Sequence, residues 1–264
     1  MLLENKVAVI YGAAGAVGSA VARTFAHEGA RVYLTGRHLE SVRAVANEIV
    51  QHGGTAEAAT VDALDEQAIE AHIRSVVDEA GRIDVSFNAI TAVPQPGIQG
   101  VPLAELSVEN FMAPIAGYMR SHFLTARAAA RRMVKNRSGV LLMHTPEPAR
   151  LGLPLNGGMA PAWAAMEALN RSLSAEFAQH GIRAVCLRSS GLPETRTIDV
   201  VFGLHAKALG ITQQQFQGFV ESLTHRKRSA TVAEVAAAAA FLASDKASGM
   251  TGTVANLTGG LIVD

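Results

Sequence analysis

The sequence predicts a single doubly wound α/β domain built on a parallel sheet. Three observations predict it. Short apolar runs alternate with segments of helical periodicity. Gly12, Gly15 and Gly18 stand between the first apolar run and the first helix. The core composition is aliphatic: of 264 residues, 49% are hydrophobic but only 5% aromatic. That length suits one domain, 1–264, with a sizeable buried core.

The elements follow in order. Lys6 to Tyr11 is a short apolar run ending at glycine, the pattern of a buried parallel strand. Gly15 to Glu28 is helical, with Val17, Val21 and Phe25 recurring every four residues. Arg31 to Thr35 is a strand, Leu39 to Gln51 a helix, Thr55 to Val61 a strand and Glu66 to Glu79 a helix. Ile83 to Asn88 is the fourth strand. Ser107 to Lys135 is mostly helical, with Pro114 marking a kink or a late start. Gly139 to His144 is a strand, Ala160 to His180 a long helix and Ile182 to Arg188 a strand. Val232 to Ala243 is the last helix and Thr253 to Leu257 the last strand. Alternation at this spacing argues for right-handed βαβ units. Val93 to Leu106 and Ser189 to Arg228 lack strand character; the second, 189–228, reads as an insertion above the sheet where a substrate lid sits.

Composition excludes several function classes. Lys plus Arg equals Asp plus Glu at 23 each, so neither nucleic acid nor a membrane is expected as a partner. No apolar run reaches the roughly 18 residues of a membrane span. The lone Cys186 excludes an internal disulfide, and the chain carries no basic, apolar leader; both fit a cytoplasmic location. The nine histidines are scattered and no cysteines pair, so no metal site is expected.

The glycine loop points to a nucleotide. A helix N-terminus carries free N–H groups and partial positive charge, which suit a pyrophosphate, and glycines let backbone approach it. Gly12, Gly15, Ala16, Val17 and Gly18 are the candidate cradle. At the end of the second strand an NAD-binding unit places an acid against the ribose 2′-hydroxyl. This chain reads Thr35-Gly36-Arg37 there, and a guanidinium favours a 2′-phosphate, so NADP(H) is expected over NAD(H).

Further stretches resemble one family. Asp62 closes the third strand, Ile83 to Ala89 the fourth, Gly181-Ile182-Arg183 precedes the sixth, and Phe241 to Asp245, Gly249 to Gly252 and Gly259-Gly260 close the chain. Together, and over essentially the whole length, they resemble the short-chain dehydrogenase/reductase family. The resemblance implies a Rossmann-type sheet of seven strands in the order 3-2-1-4-5-6-7 and an NAD(P)-dependent oxidoreductase acting on a small-molecule substrate. It implies that Asp62 and Ala63 meet the adenine, that Asn88 and Ala89 lie beside the adenosine ribose, and that Thr195 touches the cofactor. It also implies a homo-oligomer, dimer or tetramer, built through the two central helices and the C-terminal segment.

The departures concern the chemistry. Tyr11 and Ala16 stand where the family's glycine motif has threonine and its middle glycine. The family's active site is an Asn-Ser-Tyr-Lys tetrad. In the register fixed by Gly139 to Pro146 and by Leu169 to Glu176, those positions hold Tyr118, Pro146, Met159 and Trp163. In the alternative seven-residue spacing Asn156 takes the tyrosine position. Met159 exchanges no proton, Pro146 has neither hydroxyl nor N–H, and Trp163 replaces a cation with a ring. General acid–base catalysis is typically worth about 10²–10⁴-fold, so the usual carbonyl reduction is expected to be absent or non-standard. Tyr118 and His144 are the substitute proton donors, against packing roles for both. Glu147, Arg150 and Arg188 are expected as rim charges, and Cys186 as a small core residue. The alternatives are a non-catalytic nucleotide-sensing or scaffolding subunit, or a small-molecule binding protein using the 189–228 region.

Overall fold

The computed structural model describes residues 1–91 and 97–263. The strands are β1 (Val7–Tyr11), β2 (Arg31–Gly36), β3 (Thr55–Thr60), β4 (Val85–Asn88), β5 (Gly139–Pro146), β6 (Ile182–Ser189) and β7 (Val254–Leu257). The helices are α1 (Ala16–His27), α2 (Leu39–Gln51), α3 (Glu66–Ala80), α4 (Val108–Asn136), α5 (Met159–Phe177), α6 (Arg196–Leu209), α7 (Gln213–Leu223) and α8 (Val232–Ala243). All seven strands pair in parallel, in the order β3-β2-β1-β4-β5-β6-β7. This is the Rossmann-type sheet, in the strand order, that the family resemblance implies. The order reverses between β1 and β4, so their carboxyl ends open the crevice where such sheets bind ligands.

Alternate strand residues feed two cores. Ala8, Ile10, Leu142 and Leu187 face α1, α2 and α8. Val9, Tyr11, Leu141, Met143 and Cys186 face α3, α4 and α5. A sheet covered on both faces requires strands apolar on both, and β1 is buried at every position.

Differences from the sequence expectation are local. Pro114 lies inside α4 without ending it; as the seventh residue of the helix it gives up the N–H bond to the Asn110 carbonyl, and α4 continues to Asn136. β5 runs two residues past His144, because Thr145 and Pro146 still pair with Arg188 and Ser189 of β6. Of the stretch 93–106, residues 93–96 lie outside the described ones, and 97–106 hold turns and a single bridge residue, Gln99. The 189–228 region begins with the last residue of β6 and folds into α6 and α7. Phe216 of α7 meets Phe202 edge-on at 5.2 Å and stacks on His205 at 5.4 Å. Arg183 explains the Gly-Ile-Arg stretch mechanically: its guanidinium donates to the carbonyls of Leu242, Ser244 and Met250, pinning β6 to the C-terminal segment.

Candidate dinucleotide and ligand site

The loop after β1 is shaped by close backbone approach. Gly12 has φ +72°, and a Cβ there would lie 3.1 Å from the backbone of Ala89. A Cβ on Gly18 would lie 2.4 Å from the Gly12 carbonyl oxygen. Neither position accepts a side chain without displacing backbone, so α1 packs directly on the loop. Gly15 is the N-cap of α1, and no side chain caps the helix. Gly15, Ala16 and Val17 face the cavity beside it. The positive end of the α1 dipole therefore meets open space rather than a protein carboxylate.

The other expected nucleotide contacts sit at successive strand ends. Arg37 follows β2, is exposed, and makes no hydrogen bond or ion pair with the other described residues. Asp62 follows β3, exposed, its Oδ1 accepting from the Leu64 N–H at 2.9 Å; Ala63 beside it is buried. Asn88 ends β4, donating to Thr125 Oγ1 at 3.0 Å and accepting from the Ile90 N–H at 2.9 Å. These bonds hold the β4 end, and Ala89 reaches the cavity. Thr195 caps α6, accepting from the Ile198 N–H at 3.3 Å, and lines the same cavity.

That cavity, about 270 Å³, runs from the glycine loop to α6 and α7. Tyr118, Pro146, Met159 and Trp163 all line it, so four residues from α4, β5 and α5 converge on one space. Asn156 lines it too, with its side-chain amide donating to the carbonyls of Leu153 and Pro154. The Tyr118 hydroxyl is 3.0 Å from Thr91 Oγ1, and its ring meets Trp163 edge-on at 6.3 Å. The wall is chiefly apolar.

A family profile described as enoyl-(acyl carrier protein) reductase matches residues 12–262. An uncharacterized oxidoreductase, YxbG of Bacillus subtilis (strain 168), is 32% identical over 260 residues, covering 98% of this chain and 92% of that one. The chain belongs to the short-chain dehydrogenase/reductase family. Among solved structures, 7α-hydroxysteroid dehydrogenase complexed with NADH and 7-oxo glycochenodeoxycholic acid superposes with TM-score 0.86 at 26% identity, covering 98% of this chain and 94% of that one. Sorbitol-6-phosphate 2-dehydrogenase SrlD from Erwinia amylovora superposes with TM-score 0.90 at 24% identity, covering 97% and 100% respectively. The latter likeness is one of fold.

Within this short-chain dehydrogenase/reductase scaffold, the electrostatics of the cavity come from few groups. His144 Nε2 is 2.9 Å from Ser189 Oγ, and loss of water holds its imidazole down at about 4, so it is neutral at physiological pH. His205 is also held below the ordinary histidine range by desolvation. Two expected rim charges are not at the rim. Arg188 is 4% exposed and closes a bidentate pair with Glu167 of α5, at 2.8 and 2.6 Å. Glu147 is 6% exposed, and its Oε2 is buried without a hydrogen-bond partner. Burial pushes its carboxyl up to about 7, despite offsetting backbone N–H groups of Glu147 and Gly191. β5 runs on to Pro146, and Pro146, Glu147 and Pro148 line the same cavity as residues of α6 and α7. The flanking prolines were the available sequence signal. Arg150, three residues on, is exposed as expected.

Thr145 faces away from the cavity and donates to Glu167 at 3.0 Å. Cys186 is a core residue, its thiol pushed up to about 12 by burial. Tyr11, at the family's threonine position, is wholly buried in the α3–α4–α5 layer, and burial raises its phenol well above the usual range. Among the described residues there is no cluster of three or more metal-ligating side chains and no helix long and apolar enough to cross a membrane.

Proposed function

We propose that this protein binds NADP(H) through the α1 cradle and lacks the family's tetrad relay, so that any oxidoreduction it performs takes its proton from another group. The observation that carries the reading is the uncapped α1 N-terminus, opposed by glycines that tolerate no Cβ. A dinucleotide fits there: the helix end and loop amides hold the pyrophosphate, and Asp62, Ala63, Asn88 and Ala89 stand along the adenosine side. Arg37, exposed and uncommitted, supplies the 2′-phosphate preference. Bound there, the nicotinamide supplies two-electron hydride chemistry. This chain's residues orient it and set where a proton is held.

At the tetrad positions, Met159 and Pro146 offer no exchangeable proton. Trp163 fills with a ring the space where a lysine would steady the nicotinamide ribose. Tyr118 has its hydroxyl on Thr91, which favours a packing role. The lid formed by α6 and α7 closes the cavity over the substrate end. Exposed Val108, Met112 and Phe123 on α4 support assembly as a homodimer or tetramer through that helix.

Restoring the tetrad tests the reading. The triple variant Pro146→Ser, Met159→Tyr, Trp163→Lys is expected to reduce a generic carbonyl with NADPH at least tenfold faster than the wild type, with NADPH affinity little changed. A wild type already as fast as the triple variant contradicts it.

A further inference from the structure

One carboxyl group stands in a chiefly apolar cavity. Glu147 lies between Pro146 and Pro148 where β5 enters a short 3-10 turn, Glu147–Ala149. It is 94% buried by its 6% exposure, and its Oε2 finds no partner. No lysine, arginine or second carboxylate is on the described cavity wall. The other titratable wall groups are Tyr118 of α4, His144 of β5 and His205 of α6. Tyr118 meets Thr91 and His144 meets Ser189. Behind the wall, Arg188 of β6 and Glu167 of α5 are joined to each other. Among the described wall residues, then, no lysine or arginine faces Glu147. A buried polar atom without a partner is costly, so a ligand group that bonds it is favoured.

We propose that the cavity takes a mainly apolar molecule bearing one carbonyl or hydroxyl oxygen, and that Glu147 binds that oxygen and exchanges its proton. The proposal rests on the nucleotide-dependent reading above and names the substrate class and the proton group of the same site. A neutral carboxyl donates through its O–H to a carbonyl and accepts through its C=O from an alcohol, so one residue fits both oxidation levels. Burial holds Glu147 neutral up to about pH 7. An ammonium ligand fits less well, because it brings a charge out of water into an apolar space where the carboxyl is neutral. In the reducing direction the carbonyl carbon gains a hydride from the dihydronicotinamide, and the C=O π pair moves to oxygen. That oxygen takes the Glu147 proton, the dinucleotide loses two electrons, and the carboxylate recovers a proton from solvent.

The probe is menthone, with menthol, menthane and menthylamine as relatives of matched shape. Trp163 is the only tryptophan and lines the cavity, so quenching of its emission reports occupancy. Menthone is expected to bind at least tenfold more tightly than menthane below pH 7, and to weaken about tenfold as pH rises through 7. Glu147→Gln keeps a donor, so it is expected to bind menthone with that pH dependence removed. With NADPH present, the same variant is expected to lose turnover of menthone at least tenfold while retaining its binding. Equal binding of menthone and menthane, an unchanged pH profile in Glu147→Gln, or tighter binding of menthylamine overturns the proposal. So does a wild type that binds both menthone and NADPH without turnover. Failure of NADPH to bind, seen separately by calorimetry, instead removes the nucleotide reading on which the proposal rests.

Discussion

Arg188 of β6 and Glu167 of α5 form a two-pronged ion pair with both side chains almost wholly buried, Nε to Oε1 at 2.8 Å and Nη2 to Oε2 at 2.6 Å. Thr145 Oγ1 donates to the same Glu167 Oε1 at 3.0 Å, so β5, β6 and α5 are tied behind the cavity wall. Breaking one partner strands a buried charge, which typically costs about 3–5 kcal/mol. Glu167→Met and Arg188→Met are each expected to lose stability on that scale in urea unfolding. The double variant Glu167→Met, Arg188→Met is expected to recover most of it, since a buried pair exchanged for apolar side chains is often neutral. A double variant as unstable as the sum of the singles contradicts this account.

The Gly12–Gly18 approach makes a second prediction. Gly18→Ala places a Cβ against backbone that cannot yield as a side chain would. It is expected to destabilise the protein by about 1–3 kcal/mol and to weaken dinucleotide binding by displacing the loop from the α1 N-terminus. Gly117→Ala, where a Cβ meets nothing within 4 Å, is the control and is expected to change neither. Thermal unfolding and dinucleotide titration of the two variants check both parts.

Arg37 sets the cofactor preference in this account. One charge-assisted contact is worth about 1.5–3 kcal/mol, or about tenfold or more in affinity. Arg37→Ala is expected to weaken NADPH by that factor and to leave NADH within about twofold. Equal weakening of both cofactors would place Arg37 outside the 2′-phosphate site.

Glu147 predicts a pH-dependent stability term with a definite sign. Its folded-state pKa is about 7 against an ordinary 4.5, so between these values the folded protein holds more protons than the unfolded chain. Stability from this group is therefore present in full below about pH 4.5 and lost as pH rises through 7. At about 1.4 kcal/mol per pKa unit, the loss is on the order of 3 kcal/mol. His72, His122 and His144, held neutral to about 4, act with the opposite sign over an overlapping range. The difference between wild type and Glu147→Gln isolates the term. Wild-type stability relative to the variant is expected to fall as pH rises from 4.5 to 7, and a constant difference contradicts the burial argument.

The sheet was legible because its cause is local: each strand is an apolar run and each helix carries a spaced apolar face. The strand order came from the resemblance instead, since periodicity says nothing about which strands are neighbours. Glycine positions were legible for the same local reason, as Gly12 and Gly18 each answer a steric demand within one turn of chain. Glu147 and Arg188 were not. Both stand at strand ends, where sequence pattern predicts rim charges, and both are buried by distant elements. Arg188 is covered by a helix whose Glu167 lies 21 residues away, and Glu147 by the space under α6 and α7. Pairing of α6 with α7 rests on the Phe202–Phe216–His205 contacts, which no periodicity announces.

We infer a dinucleotide cradle retained beside a cavity without the tetrad relay. Isothermal titration of the wild-type protein with NADPH and NADH tests it most directly. Saturable binding of NADPH at one site per chain, tighter than NADH by about tenfold or more, is the expected result. Absence of NADPH binding at millimolar concentration contradicts it.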